Sequence, residues 1–139
     1  MHKILIVEDE VSIRTIIKKY LSKFDITLIE AENGRIGLDT FLDNKDDIDL
    51  VLMDVMMPQM DGIECTKEIR KVSNVPIIML TAKSEDEDEI EGLEVGANDF
   101  ITKPFNLEVL LLRIKKLVNL DSNNDLELVK EQRAVRKNG

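Results

Sequence analysis

The chain has 139 residues, 43% of them apolar, and a formal net charge of −9. That length suits one domain with room for a real core, the acidity argues against direct nucleic-acid binding by this segment, and no stretch approaches the roughly 18 apolar residues of a membrane span. With no Trp, a solitary Cys65 that excludes an internal disulfide, and no signal peptide ahead of Met1, a reducing cytoplasmic setting is expected.

Taken in chain order, apolar runs alternate with helical patterns. Ile4–Val7 reads as a first strand. Ile13, Ile16, Ile17, Tyr20 and Leu21 then follow the spacing of one helix face. A second strand is expected at Ile26–Ile29, and a shorter helix over residues 34–43 with Ile36, Leu38 and Phe41. Leu50–Met53 predicts a third strand, and a helix begins after Asp61-Gly62 with Ile63, Thr66 and Ile69 on its face. Val75–Leu80 gives a fourth strand. Ser84-Glu85-Asp86-Glu87 has the form of a capping box opening a fourth helix. Phe100-Ile101 is a fifth strand, and Leu107, Leu110, Leu111, Ile114, Leu117 and Val118 form the stripe of a last helix. Five strand–helix repeats predict an α/β fold, a parallel sheet with helices on both faces, and the continuously apolar strands agree. Residues 1–120 are expected to form the globular domain. Residues 121–139 begin with a polar linker and continue as a charged helix or tail whose acids and bases balance, so the whole negative excess lies before them.

Reactive groups recur at the carboxyl ends of the strands, where open parallel sheets place their chemistry. The first strand runs into Glu8-Asp9, the third ends in Asp54, the fourth in Thr81, and the fifth in Lys103 followed by Pro104. A polar residue at a strand end is ordinary. Three carboxylates, a hydroxyl and an ammonium on one edge are less so. Carboxylates held together repel one another, and a divalent cation with oxygen ligands, Mg²⁺ first, relieves this. Lys103 adds a positive charge, and a phosphoryl group on Asp54 would supply the missing anion.

Glu8-Asp9 after the first strand, "LMDVMMPQMDG", Thr81-Ala82 and "ANDFITKPF" together resemble the receiver domain of two-component response regulators. The resemblance covers residues 2–119. It implies the flavodoxin-like, doubly wound order 2-1-3-4-5, and it implies roles. Asp54 would accept a phosphoryl group from a sensor histidine kinase. Asp9, Asp54 and the Met56 carbonyl would hold Mg²⁺, or Mn²⁺, with Glu8 acting through a metal-bound water. Lys103 and Thr81 would contact the phosphoryl oxygens, and Phe100 would be the aromatic whose rotamer follows Thr81. The Lys103-Pro104 bond is usually cis in such domains. "GANDFITKPF" is most similar to members that carry a winged-helix DNA-binding domain, which pair through the fourth helix, fifth strand and fifth helix. Here Glu87, Asp88, Glu89 and Glu91 stand where a base is usual, and Val109 replaces an acid. Asp99 and Arg113 remain as a charge pair, and Val109 with Leu112, opposite the core stripe, predicts a more apolar homodimer contact.

Blander readings cover the rest. Asp61-Gly62 is turn chemistry and a helix start, Cys65 is a packing residue, and His2 has no partners around it in sequence. Met53, Met56, Met57 and Met60 are core and loop filling, since thioethers do not suit an oxygen-rich site. The acids of 85–89 fit a solvated helix start. Three other functions compete. A haloacid-dehalogenase-like phosphatase needs a second Asp where Met56 stands. A flavodoxin-like FMN binder needs a phosphate cradle where Glu8-Asp9 would repel. A degenerate receiver used only for protein interaction would not need the acceptor set, which is complete.

Overall fold

The computed structural model describes residues 2–55, 57, 59–81 and 94–118. Strand β1 (His2–Val7) leads through Glu8-Asp9-Glu10 into α1 (Val11–Leu21) and a short 3₁₀ turn (Ser22–Phe24). There Asp25 takes a left-handed φ of 61° and turns the chain into β2 (Ile26–Ala31). Helix α2 (Gly34–Asp43) is capped by Asn33, whose side chain accepts from Ile36 N–H at 2.9 Å. Next come β3 (Leu50–Asp54), α3 (Gly62–Arg70), β4 (Ile77–Thr81), β5 (Asp99–Thr102) and the C-terminal helix α4 (Leu107–Leu117). Asp61 caps α3, accepting from Glu64 N–H at 2.8 Å, and Asn106 caps α4, accepting from Glu108 and Val109 N–H. The capping box at Ser84 with its helix, Ala82, Met56 and the whole of 121–139 lie outside the described residues.

All five strands are parallel, in the order β2-β1-β3-β4-β5. Alternate residues of each strand feed two separate cores. Leu5, Val7, Val51, Met53, Ile77 and Met79 face the layer of α2 and α3, packing with Phe41, Cys65 and Ile69. Ile4, Ile6, Leu50, Leu52, Ile78 and Leu80 face α1 and α4, packing with Ile17, Leu21, Leu110, Leu111 and Ile114. Both faces of the sheet are covered, which is why these strands are apolar without alternation.

One helix-face expectation is corrected. Ile16 is 54% exposed although its spacing put it on the core stripe; the buried line of α1 runs through Ile17 and Leu21. On α2, Leu38 and Phe41 carry the buried face, and Ile36, two positions from Leu38 and so across the helix from it, is 38% exposed. In α1 the apolar spacing is wider than the stripe that the sheet can cover.

Candidate functional site: an acidic centre at the carboxyl edge

The topology brings the strand-end residues together. β1 and β3 are neighbours, with Val7 level with Met53, so Glu8 follows β1 beside Asp54 at the end of β3. The strand order reverses between β1 and β3, the place where an open α/β sheet forms its crevice. Val55 N–H donates to the Leu80 carbonyl at 3.0 Å and Lys103 N–H to the Thr81 carbonyl at 2.6 Å, which ties the ends of β3, β4 and β5 into one edge. The Lys103-Pro104 peptide is cis.

Glu8, Asp9 and Asp54 each present a carboxylate oxygen within 4.8 Å of the others. Glu8 and Asp54 are buried and Asp9 is exposed, so the cluster opens to solvent on one side. Lys103 Nζ lies 2.8 Å from Glu8 Oε1 and 3.4 Å from Asp54 Oδ1. Glu8 Oε2 accepts from Glu10 N–H at 3.1 Å. Oε1, by contrast, meets no donor along a hydrogen-bonding direction, and its contact with Lys103 is an ion pair by distance alone. Thr81, at the end of β4, is buried beside them.

One ammonium does not neutralise three acids. Burial and the adjacent Glu8 charge push Asp54 up to about 7, against the opposing pull of Lys103. Lys103 is drawn down by burial, but its contacts with Glu8 and Asp54 outweigh that and raise it, so it stays charged. Three converging carboxylates that a single ammonium leaves short of neutral, and an opening at Asp9, are what a divalent cation of the Mg²⁺ type requires. The donor set therefore fits such an ion.

Phe100 is half-buried against the α2–α3 core. Asp99 and Arg113 pair within the chain, Arg113 Nη1 donating to both Asp99 oxygens at 2.7 Å. Val109 and Leu112 are exposed, as their helix face predicted. Cys65 is buried, and burial pushes its thiol up to about 12, as befits a packing residue. Beside the acidic centre lies an apolar groove of about 560 Å³, lined by Ile13, Ile16, Pro104, Phe105 and Leu107, with Glu10 and Lys103. Sequence reasoning missed Arg14, whose guanidinium donates to the Glu8 carbonyl. Its one signal was a cation set next to the apolar stripe, a turn after the acidic pair.

A doubly wound α/β sheet with a carboxylate–lysine centre at its switch point defines the class: a domain of flavodoxin-like architecture with its site at the carboxyl edge. Residues 4–115 match the response regulator receiver domain, and the chain belongs to that family. The CpxR homolog of Haemophilus influenzae, a transcriptional regulatory protein, is 43% identical over 118 residues, covering 85% of this chain and 51% of that protein. The transcriptional regulatory protein ResD of Bacillus subtilis is 43% identical over 116 residues, covering 84% and 48%. The chain thus spans about half the length of the curated relatives it matches. Among solved structures, the BeF3-activated N-terminal receiver domain of Klebsiella pneumoniae RstA superposes with a TM-score of 0.78 at 34% identity, covering 84% of this chain and 97% of that one. Receiver domains are signalling domains rather than a family of catalytic enzymes. None of the described helices is long and apolar enough to cross a membrane.

Proposed function

We propose that this chain is a phosphoacceptor switch that takes a phosphoryl group from a sensor histidine kinase onto Asp54. The observation that carries the reading is the approach of Lys103 Nζ to within 3.4 Å of Asp54 Oδ1, inside a cluster of three carboxylates. A carboxylate oxygen of Asp54 attacks phosphorus, and an O–P bond forms as the N–P bond of a phosphohistidine breaks. The electron pair returns to the imidazole. Lys103 neutralises the incoming phosphoryl oxygens and Thr81 offers a hydroxyl donor, so the work is mainly positioning and charge compensation. Glu8, Asp9 and Asp54 would hold Mg²⁺, or Mn²⁺, which would supply further charge neutralisation at the phosphoryl oxygens. The Met56 carbonyl is the remaining ligand assigned by family likeness. The acyl phosphate carries about −2 charges where the carboxylate carried one, and it draws Thr81 and Lys103 inward, with Phe100 following Thr81.

The kinase would rest on the groove of Ile13, Ile16, Pro104 and Phe105, which adjoins Lys103. On this reading residues 1–120 form the receiver and 121–139 lead to an effector. The match covers about half of each curated relative, and these are named transcriptional regulatory proteins, which favours a DNA-binding effector. The setting is the cytoplasm. Incubation with Mg²⁺ and a small phosphodonor should add the mass of a single phosphoryl group. An adduct that is absent, or that persists in Asp54→Asn, would refute the assignment.

A further inference from the structure

Arg14 stands one turn into α1, directly after the acidic loop, and its side chain is only 12% exposed. It does not reach the carboxylates. Instead Nη1 donates to the main-chain carbonyl of Glu8, while Nε donates to Oε1 of Glu30 on β2 at 3.0 Å. The other Glu30 oxygen accepts from Lys18 Nζ at 3.3 Å. On its other side the Glu8 peptide is fixed as well, since Glu8 N–H donates to the Ala31 carbonyl at 3.0 Å. Both polar groups of the Glu8 main chain are therefore held, one by β2 itself and one by a guanidinium that β2 orients.

That arrangement has a chemical consequence. Glu8 and Asp9 are consecutive, so in a strand their side chains would point to opposite faces. Their carboxylates converge with that of Asp54 only because the chain leaves the strand path at this peptide. We infer that Arg14, oriented by Glu30, is a positioning residue for the divalent-cation site: it holds the Glu8–Asp9 peptide in the conformation that gathers the three carboxylates. The inference rests on the Mg²⁺ reading above. Arginine suits the task because one rigid plane donates in two directions at once, whereas lysine offers a single mobile point. Ligand-orienting groups of this kind typically alter metal affinity 10–100-fold.

The test is calorimetric titration of the full chain with Mg²⁺ alone, alongside thermal midpoints in chelator. Arg14→Lys and Glu30→Gln are each expected to weaken Mg²⁺ binding about tenfold. The double variant should be no weaker than Arg14→Lys by more than about threefold, because both changes break one connection. Lys18→Gln, which removes only the outer contact to Glu30, should bind like wild type. Wild-type affinity in both single variants, or independent additive losses in the double, would overturn the inference and leave Arg14 a structural strut. If Arg14→Lys does not fold, Glu30→Gln decides the matter by itself. Absence of Mg²⁺ binding by the wild type would sink the proposed function itself, a result separate from any difference between variants.

Discussion

At the scale of single residues, Asp54 is the group whose environment most changes its chemistry. An Asp in the unfolded chain titrates near 3.8, and burial beside Glu8 moves it to about 7 in the fold. Between those values the folded state holds a proton that the unfolded state has lost. The associated stability is complete below about pH 4 and is lost as pH rises through about 7. In chelator, the thermal midpoint should fall across that window, and Asp54→Asn should flatten the fall. Mg²⁺ must displace the same proton, so its affinity should climb with pH up to about 7 in calorimetric titrations. A metal-free midpoint equally steep in Asp54→Asn would show that another group carries the dependence. The five residues of this centre were legible in the sequence because each sits where an apolar run stops: Glu8 and Asp9, Asp54, Thr81, Lys103. Arg14 was not, because its role depends on a backbone carbonyl and on a glutamate in another strand. No pattern within one element records either.

At the scale of elements, the packing of α3 against β3 governs where Asp54 sits. Gly62 opens α3, and its N–H donates to the Val55 carbonyl at 2.9 Å. A Cβ at Gly62 would lie 2.2 Å from the Asp54 carbonyl oxygen, which is backbone and has no side-chain freedom with which to yield. Gly62→Ala should therefore lift α3 from the strand end, at a cost of about 1–3 kcal/mol typical of overpacking. Phosphorylation should slow as Asp54 shifts; chemical denaturation and the rate of adduct formation would measure the two effects. An unchanged rate would detach the helix start from the acceptor. Asp61-Gly62 was readable as a turn and helix start, and Asp61 does cap α3. What the dipeptide could not tell was that the glycine is needed for a close approach of backbone to backbone. Helix faces were legible only in part for a related reason. The spacing of Ile16 is that of a buried residue, but how wide a stripe the sheet covers depends on helix placement.

At the scale of the whole molecule, the expected contact between copies concerns α4. The Asp99–Arg113 pair, a candidate for linking two molecules, is closed within one chain. Val109 and Leu112 are the exposed apolar residues on the same helix. An apolar homodimer contact on this face predicts that beryllofluoride with Mg²⁺ increases the sedimentation coefficient, and that Leu112→Asp abolishes the increase without slowing phosphorylation. A wild-type protein that sediments as a monomer in both states would remove the dimer proposal.

The two cores described above bear on how such a molecule can be inherited. The groove beside Lys103 and the exposed side of α4 both belong to elements packed on one face of the sheet, whereas α2 and α3 grip the other face through a different set of strand residues. Substitutions that retune the first layer toward a new partner need not disturb packing in the second. After gene duplication, copies of such a chain could drift apart in the company they keep while retaining a common chassis. Chimeras that exchange only α1 and α4 between two relatives should accordingly fold, and carry their allegiances with them.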